Sequence, residues 1–526
     1  MSRGFIIVLL AVLAVSSFLF FWRLGVATLE NWDEGIHAEV ARTMYQDGNW
    51  LSMSYRDDLY TAKPPLRFWL TAALFPVFGV SEFSLRFWSA LAGVATALLI
   101  TIWSWQWTHR LLATLVAAAS FLFSQMVFLH AFRTGETDGL LALMFTAALY
   151  AYWRSQRERR WFIWFGVFVG LAIMFKWVAG FLPVLIAAVD LTIARRWRSV
   201  GFATILQAAG LALLIAAPWH LYETIRHGAL FWQSYLGFHV LDRVRESLYA
   251  NDVPWWWYAD VLFRKSFPFK FLVPIAVAVS ASRLVRKRDP LDRLLLLGSI
   301  IVFGIFSAVQ TKFAWYVLPV VPLVSLLIGR TVQEFVEARR RWLDLVFFAG
   351  AVVTVFILPT GIDRGRTLWK LVPHAYLPTW FADTGVGRLV VALVAGLILL
   401  GLIVWLRRVL LQPRLVFVGG ILTILFGAAA AWQVAHIRAL PDTAPLERIA
   451  AAARERSITT LDVVAVDLLR QPAGYFYLHR AGMRLREVTA DQVTAPDILL
   501  KKDALVPAGE YRTVVEDGPY LLLHAE

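Results

Sequence analysis

The stretch RGFIIVLLAVLAVSSFLFFWRLGVATLENWDEGIHAEVAR, residues 3–42, decides the fold class. From Phe5 to Trp22 it is apolar and uncharged, close to the roughly 20 residues a helix needs to cross a bilayer. Arg3 precedes the run and no small-residue cleavage site follows it, so it is expected to be an uncleaved first span rather than a signal peptide. Asp33, Glu34 and His37 come next, with Arg42 beyond them. In a helix that begins near Asp33, Asp33 and His37 stand one turn apart on one face. An aspartate there can simply cap the helix. Capping does not account for two adjacent carboxylates at a membrane boundary with histidine and arginine beside them, and charge at such a depth points to function.

Outward from that stretch the same pattern repeats. The 526 residues are 59% hydrophobic and 17% charged, and the mean hydropathy is +0.62, more apolar surface than a soluble fold can bury. Apolar runs long enough to span, or nearly so, give about 13 candidates. They are Phe5–Trp22, Phe87–Trp105, Leu111–Leu129, Gly139–Trp153, Trp161–Phe175, Trp177–Ile193, Val200–Pro218, Phe271–Ala281, Leu294–Val309, Phe313–Ile328, Leu343–Pro359, Leu389–Leu406 and Leu415–Val434. With the N-terminus in the cytoplasm, the connections His109/Arg110, Arg154–Arg160, Arg195–Arg198, Arg283–Arg288, Arg330–Arg341 and Arg407–Arg414 are cytoplasmic. They are short and arginine-rich, as the positive-inside rule requires. The net charge of +14 therefore reads as topology rather than as a nucleic-acid surface. The opposite connections, Arg23–Arg86, His130–Asp138, Trp219–Lys270 and Gly361–Arg388, are expected to hold almost all the acids and histidines of the membrane part.

Beyond Ala435 the apolar runs stop. Short alternating stretches at Asp462–Val466, Tyr475–Leu478, Ile498–Lys501, Tyr511–Val515 and Tyr520–Leu523, with a helical segment Pro445–Arg456, predict a small soluble α/β domain. The predicted architecture is a mainly α-helical polytopic membrane protein. Residues 1–434 form the membrane domain, with outer loops 23–86 and 219–270, and residues 435–526 form an extracytoplasmic α/β domain. There are no cysteines, which excludes disulfides, thiolate metal sites and thiol nucleophiles.

Three further clusters carry candidate chemistry. Lys63 precedes Pro64-Pro65, which stiffen the backbone and can open a helix. Its ammonium reads either as a snorkelling anchor or as a group that holds phosphate. Arg133-Thr134-Gly135-Glu136-Thr137-Asp138 brings a second acid, Asp138, to the depth of Asp33. Lys176 reads as an interfacial anchor. In the second outer loop, His239 and Arg243 share a helical face, and Trp255-Trp256-Trp257-Tyr258 reads first as an interfacial belt and second as a sugar-stacking wall.

Asp33-Glu34 after the first span, Lys63-Pro64-Pro65, the segment Phe78–Arg86, Asp138 and Lys312–Pro322 occur in that order. Together they resemble the glycosyltransferase-C superfamily, in the branch of protein O-mannosyltransferases and the bacterial aminoarabinose transferase that modifies lipid A. The resemblance covers residues 1–330. It implies an inverting transfer of a sugar from a polyprenyl-phosphate carrier to a lipid, protein or glycan acceptor outside a bacterial inner membrane. On that reading Lys63 and Arg243, with His37, hold the phosphate, and Asp33 is the base, its proton affinity raised at a partly dry boundary. Asp138 orients the acceptor or a cation, and Glu34, Arg133 and His239 complete the substrate-contacting set. Relatives often carry a glutamate before Lys-Pro-Pro that resembles a metal ligand. Here that position is Ala62, so a divalent metal stays an open cofactor, and His37 and His239 read first as hydrogen-bonding groups. The competing readings are a lipid-linked-sugar transporter, a polysaccharide polymerase or ligase, and an assembly scaffold.

Overall fold

In the computed structural model the described residues are 2–247, 253–265, 272–287, 289–337, 427, 429–439 and 444–526. The expected spans Leu343–Pro359 and Leu389–Leu406, most of Leu415–Val434, and the connections Gly361–Arg388 and Arg407–Arg414 lie outside them. The first span is α1 (Arg3–Phe21), opened by Ser2, whose hydroxyl accepts the Phe5 N–H. The expected outer loop that follows is partly helical. It holds α2 (Asp33–Asp47), a hairpin of β1 (Ser54–Tyr55) and β2 (Asp58–Leu59), and the short helices α3 (Leu66–Ala72) and α4 (Phe75–Phe78).

The chain then passes through α5 (Glu82–Thr108), α6 (Leu111–Leu122), α7 (Asp138–Ser155), α8 (Trp161–Phe175), α9 (Leu182–Ile193) and the single turn α10 (Trp197–Val200). The long α11 (Phe202–Trp232) runs through Pro218, kinks at Gly228, where φ is 53°, and continues into a π-helical segment, Gln233–Asp242, and α12 (Arg243–Arg245). Next come α13 (Trp257–Lys265), α14 (Leu272–Lys287), α15 (Pro290–Ala308) and α16 (Val320–Glu337). Among the described residues, Arg3–Phe21, Glu82–Thr108, Phe202–Arg245 and Pro290–Ala308 are helices long and apolar enough to cross a membrane. Leu66–Phe78, Leu111–Leu122, Trp161–Phe175 and Val178–Ile193 are apolar but shorter. Helix α11 turns Leu213, Leu214, Leu221 and Ile225 outward and buries the small Ala208 and Ala216. Ala208 lies against Gly166 of α8, where a Cβ would come within 2.2 Å of the Ala208 carbonyl oxygen. Large apolar residues outside and small ones at the helix–helix contact are the arrangement a lipid solvent selects.

The bundle has two chemically distinct ends. Helix α7 starts at Asp138 and ends at Ser155, about 27 Å along its axis. Acids are not confined to the Asp138 end, as the sequence had suggested. At the other end Asp190 takes Tyr152 Oη at 2.7 Å and Arg293 Nε at 2.6 Å. Nearby Arg283 grips Asp292 at 2.8 and 2.9 Å, and Arg330 pairs with Asp289 at 2.6 Å. Each of these acids has an arginine partner, so they tie helices together.

Residues 444–526 form α17 (Pro445–Glu455), β3 (Thr460–Val464), α18 (Pro472–Arg480), β4 (Arg484–Glu487), β5 (Asp497–Lys501), β6 (Tyr511–Asp517) and β7 (Tyr520–Ala525). The sheet order is β4-β3-β5-β7-β6, parallel across β4-β3-β5 and antiparallel across β5-β7-β6. Tyr475–Leu478 was expected to be a strand and is the middle of α18. Pro472 opens that helix, and a short apolar run buried on all sides does not distinguish strand from helix by its pattern. This domain is seated on the first loop: Leu29 N–H donates to Tyr477 Oη at 2.8 Å, and Arg480 pairs with Glu82 at 2.8 Å.

Candidate active site

Trp32 enters α2 with φ 128°, a conformation bulky residues rarely adopt, and supplies no side-chain cap. Asp33 is thus the first helical residue rather than the cap, and its carboxylate is turned to another partner. Lys63 Nζ donates to Asp33 Oδ2 at 2.5 Å and to His37 Nε2 at 2.9 Å, and lies 4.0 Å from Glu136 Oε2. The Gly135 carbonyl, 2.7 Å from His37 Nδ1, can only accept. His37 therefore carries its proton on Nδ1 and offers the Nε2 lone pair to the ammonium. Burial, reinforced by Lys63, holds the imidazole well below its ordinary range and hence neutral.

Asp138 likewise begins its helix without acting as a cap. Its Oδ1 takes the Lys176 ammonium at 2.8 Å, and that ammonium sits 4.9 Å from the Tyr316 ring centroid. Arg243 donates to Tyr316 Oη at 3.3 Å. His239 lies on the π-helical segment just before Arg243, within range of the charges of Arg243, Lys63 and Asp33. The structure therefore brings Asp33, His37, Lys63 and Glu136 into direct contact range, ties Asp138 to Lys176, and sets His239 and Arg243 beside them.

Two expected substrate-contacting groups are engaged elsewhere. Glu34 accepts from Arg86 Nε at 2.7 Å and Nη2 at 2.9 Å, from Gly135 N–H at 2.6 Å and from Glu30 N–H at 2.7 Å. It is a fully buried clamp between the first loop and the 130–138 turn. Arg133 donates to the carbonyls of Leu19, Phe20 and Trp22 at 2.6, 3.0 and 3.0 Å, closing the C-terminal end of α1. Trp255 and Trp256 are exposed while Tyr258 is buried, which fits the interfacial belt.

The expected rise in Asp33's proton affinity is reversed. Burial does oppose its charge, but the Lys63 ammonium at hydrogen-bond distance outweighs burial and holds the carboxyl below the ordinary range. The acid whose proton affinity does rise is Glu136. Burial first, then the negative charge of Asp33, pushes it well above the ordinary range, against the pull of Lys63. Glu136, Lys176 and His130 were missed as site residues. His130 stacks on Trp315 with centroids 4.1 Å apart and joins Glu136 and Asp138 in one cluster. The Glu-x-Asp spacing was the available signal.

Two trios can offer ligand atoms within 4.8 Å of one another: Asp33, His37 and Glu136, and His130, Glu136 and Asp138. In the first, the Lys63 ammonium already takes both the Asp33 oxygen and the His37 lone pair. The ligand pair suggested by the resemblance does not fit this chain, because Ala62 supplies no donor atom and His239 joins neither trio among the described residues.

Residues 62–222 match the family described as dolichyl-phosphate-mannose-protein mannosyltransferase. The undecaprenyl phosphate-alpha-4-amino-4-deoxy-L-arabinose arabinosyl transferase of Pectobacterium carotovorum is 29% identical over 363 residues, covering 66% of this chain and 62% of that protein. The chain thus spans under two thirds of that relative's length. The fold is similar to the crystal structure of ArnT from Cupriavidus metallidurans bound to undecaprenyl phosphate. The TM-score is 0.72 at 18% identity, over 99% of this chain and 98% of the other. It is also similar to the apo oligosaccharyltransferase of Archaeoglobus fulgidus, with TM-score 0.53 at 14% identity over 91% and 64% of the two chains. The resemblance to the glycosyltransferase-C superfamily stands, and the fold is mainly helical, of that type, with a C-terminal sheet.

Proposed function

We propose that the chain is an inverting glycosyltransferase that moves a sugar from a polyprenyl-phosphate carrier to an acceptor on the extracytoplasmic face of a bacterial inner membrane. The observation that carries this reading is one buried ammonium, Lys63, shared by Asp33 and His37 beside Glu136. A phosphate is a good leaving group, so the site has only to hold its charge and take the acceptor's proton. In the resting site Lys63 is paired with Asp33. A donor phosphate reaching Lys63 competes for that ammonium, and loosening the pair raises the proton affinity of Asp33 when a base is needed.

The acceptor oxygen then attacks the anomeric carbon and its proton passes to Asp33. The bond from that carbon to the phosphate oxygen breaks on the opposite face, and the polyprenyl phosphate leaves with the electron pair, its charge held by Lys63 and Arg243. The anomeric configuration inverts. His37 aims Lys63, His239 borders the phosphate, and Asp138 on Lys176 orients the acceptor. Glu34 and Arg133 hold the backbone around them. The reaction balances without a metal ion. The relatives' names make undecaprenyl phosphate carrying 4-amino-4-deoxy-L-arabinose the first donor to assay, with a lipid, protein or envelope-glycan acceptor. The arginine-rich end is assigned to the cytoplasm and residues 435–526 to the outside, on the positive-inside rule.

The test incubates purified protein in lipid with a panel of polyprenyl-phosphate sugars and membrane extract, and follows which molecule gains mass. Asp33→Asn is expected to keep donor affinity and lose about 10²- to 10⁴-fold in transfer. Lys63→Met is expected to lose donor affinity. Near wild-type turnover in D33N, or unchanged donor affinity in K63M, overturns the assignment.

A further inference from the structure

At the end of the bundle away from Asp33, the turn after α7 and the short α10 enclose a small cavity of about 50 Å³ lined by Ser155, Gln156, Arg159, Arg196 and Ser199 together with Tyr152 and apolar side chains. One water needs roughly 10–15 Å³ by this measure, so the cavity has room for a group of about four water-sized atoms, the size of a tetrahedral phosphate. The donors left for a ligand are Arg159, Arg196 and Gln156, since the Ser155 and Ser199 hydroxyls donate to the carbonyls of Tyr152 and Arg196 at 2.6 and 2.7 Å. Arg196 Nη1 donates to Gln156 Oε1 at 3.0 Å, which turns the Gln156 amide nitrogen inward, buried and without a hydrogen-bond partner. A buried donor left unmatched costs about 1–3 kcal/mol and calls for an acceptor.

The acids beside the cavity are already engaged: Asp190, which accepts from Tyr152 of the lining at 2.7 Å, is taken by Arg293 at 2.6 Å. Glu158, the acid of the turn, is taken by Arg154 at 2.7 Å and Arg160 at 2.7 Å. Among the described residues no carboxylate pairs with Arg159 or Arg196. Gly201 lies against the Arg159 guanidinium so closely that a Cβ there would fall 1.8 Å from Nη2, and its φ is +77°. A glycine at 201 is what lets that guanidinium sit at the pocket wall. Close in sequence to the lining residues, Ile193, Trp197 and Phe202 are exposed at 56%, 44% and 75%, apolar and aromatic groups suited to the acyl and interfacial layer of a membrane. Free phosphate would use the cavity and leave those side chains idle.

We propose that this pocket binds the phosphate of an anionic phospholipid headgroup, a lipid site separate from the proposed donor site. Basic pockets between helix ends are how such headgroups are held. The full-length protein is exchanged into detergent with phosphatidylglycerol or phosphatidylcholine, and native mass spectrometry counts the lipid retained. Phosphatidylglycerol should be retained in preference. The double variant Arg159→Gln/Arg196→Gln should retain about 10- to 30-fold less of it. Gln156→Leu, which keeps both arginines and is the safer variant for folding, should lose several-fold, and Arg470→Gln, at an exposed arginine of the C-terminal domain, should lose nothing. Retention unchanged in both pocket variants overturns the proposal. So does protection of the lipid-free protein by inorganic phosphate without preferential retention of phosphatidylglycerol, an outcome that would assign the pocket to a free anion.

Discussion

Asp33 and Glu136 offer oxygens within 4.8 Å of each other, yet their proton affinities move in opposite directions: Lys63 at hydrogen-bond distance lowers that of Asp33, while burial and the charge of Asp33 raise that of Glu136. This difference sets a pH dependence. A glutamate whose folded proton affinity is raised stabilises the protein below the ordinary glutamate range, and that contribution is lost as pH rises toward the raised value, by up to about 1.4 kcal/mol per pH unit. Asp33 has the opposite sign: its contribution is present above the ordinary aspartate range and is lost as pH falls through the lowered value. Glu136→Gln, a permanent mimic of the protonated acid, should flatten the alkaline limb of a melting-temperature profile and leave the acid limb intact. Parallel alkaline limbs in wild type and E136Q would mean that Glu136 is ionised. Asp33, His37 and Lys63 were legible in the sequence, since their spacing and the prolines after Lys63 are local features. Glu136 and Lys176 were not. Lys176 is defined by Asp138, 38 positions earlier in the chain, and Glu136 by burial against a loop a hundred residues away.

Helix α2 carries Asp33 on its first turn and His37 on its second, so whatever seats α2 also seats them. Part of that seat is α18 of the C-terminal domain. Gly35 faces it so closely that a Cβ would come within 2.3 Å of the Ala473 nitrogen and 2.6 Å of the Pro472 carbonyl carbon. These are backbone atoms and cannot rotate away. Farther along, His479 Nδ1 donates to Glu39 Oε1 at 2.8 Å, and Glu39 also holds Arg42 at 2.6 and 2.8 Å. Gly35→Val should therefore wedge the two helices apart, costing about 1–3 kcal/mol and lowering transfer although residue 35 offers no functional group. Thermal unfolding and turnover of the same preparation would show the two losses together, and full turnover in G35V would mean that α2 does not depend on this contact. The sequence pattern gave most helices of the bundle their approximate bounds because apolar length is a strong local signal. It read the α18 core as a strand because what makes Tyr475–Leu478 helical is burial on every side, which a one-dimensional pattern does not carry.

At the scale of the whole chain, the C-terminal domain acts as part of the frame of the proposed active site. None of its described side chains enters the Lys63 cluster. Its contacts fall instead on Gly35, Glu39 and Arg42 of the helix that carries Asp33 and Glu34, and on Leu29, Arg56 and Glu82 of the loop around it. Arg480 is the test of this arrangement, because it reaches Glu82 across the junction at 2.8 Å and Glu447 within its own domain at 3.1 Å. Arg480→Gln alone loses both pairs and cannot separate the junction from the domain's own stability. A double-mutant cycle does separate them: Arg480→Gln, Glu82→Gln and the double variant, each measured by thermal unfolding. Both side chains are largely screened from solvent, so a coupling of about 0.5–3 kcal/mol is expected, larger than an exposed pair gives. If the domain is seated as described, the same cycle run on transfer rate should also be non-additive, since loosening the junction from either side releases the same helix. Additive losses in both measurements would mean that the two parts fold and work independently.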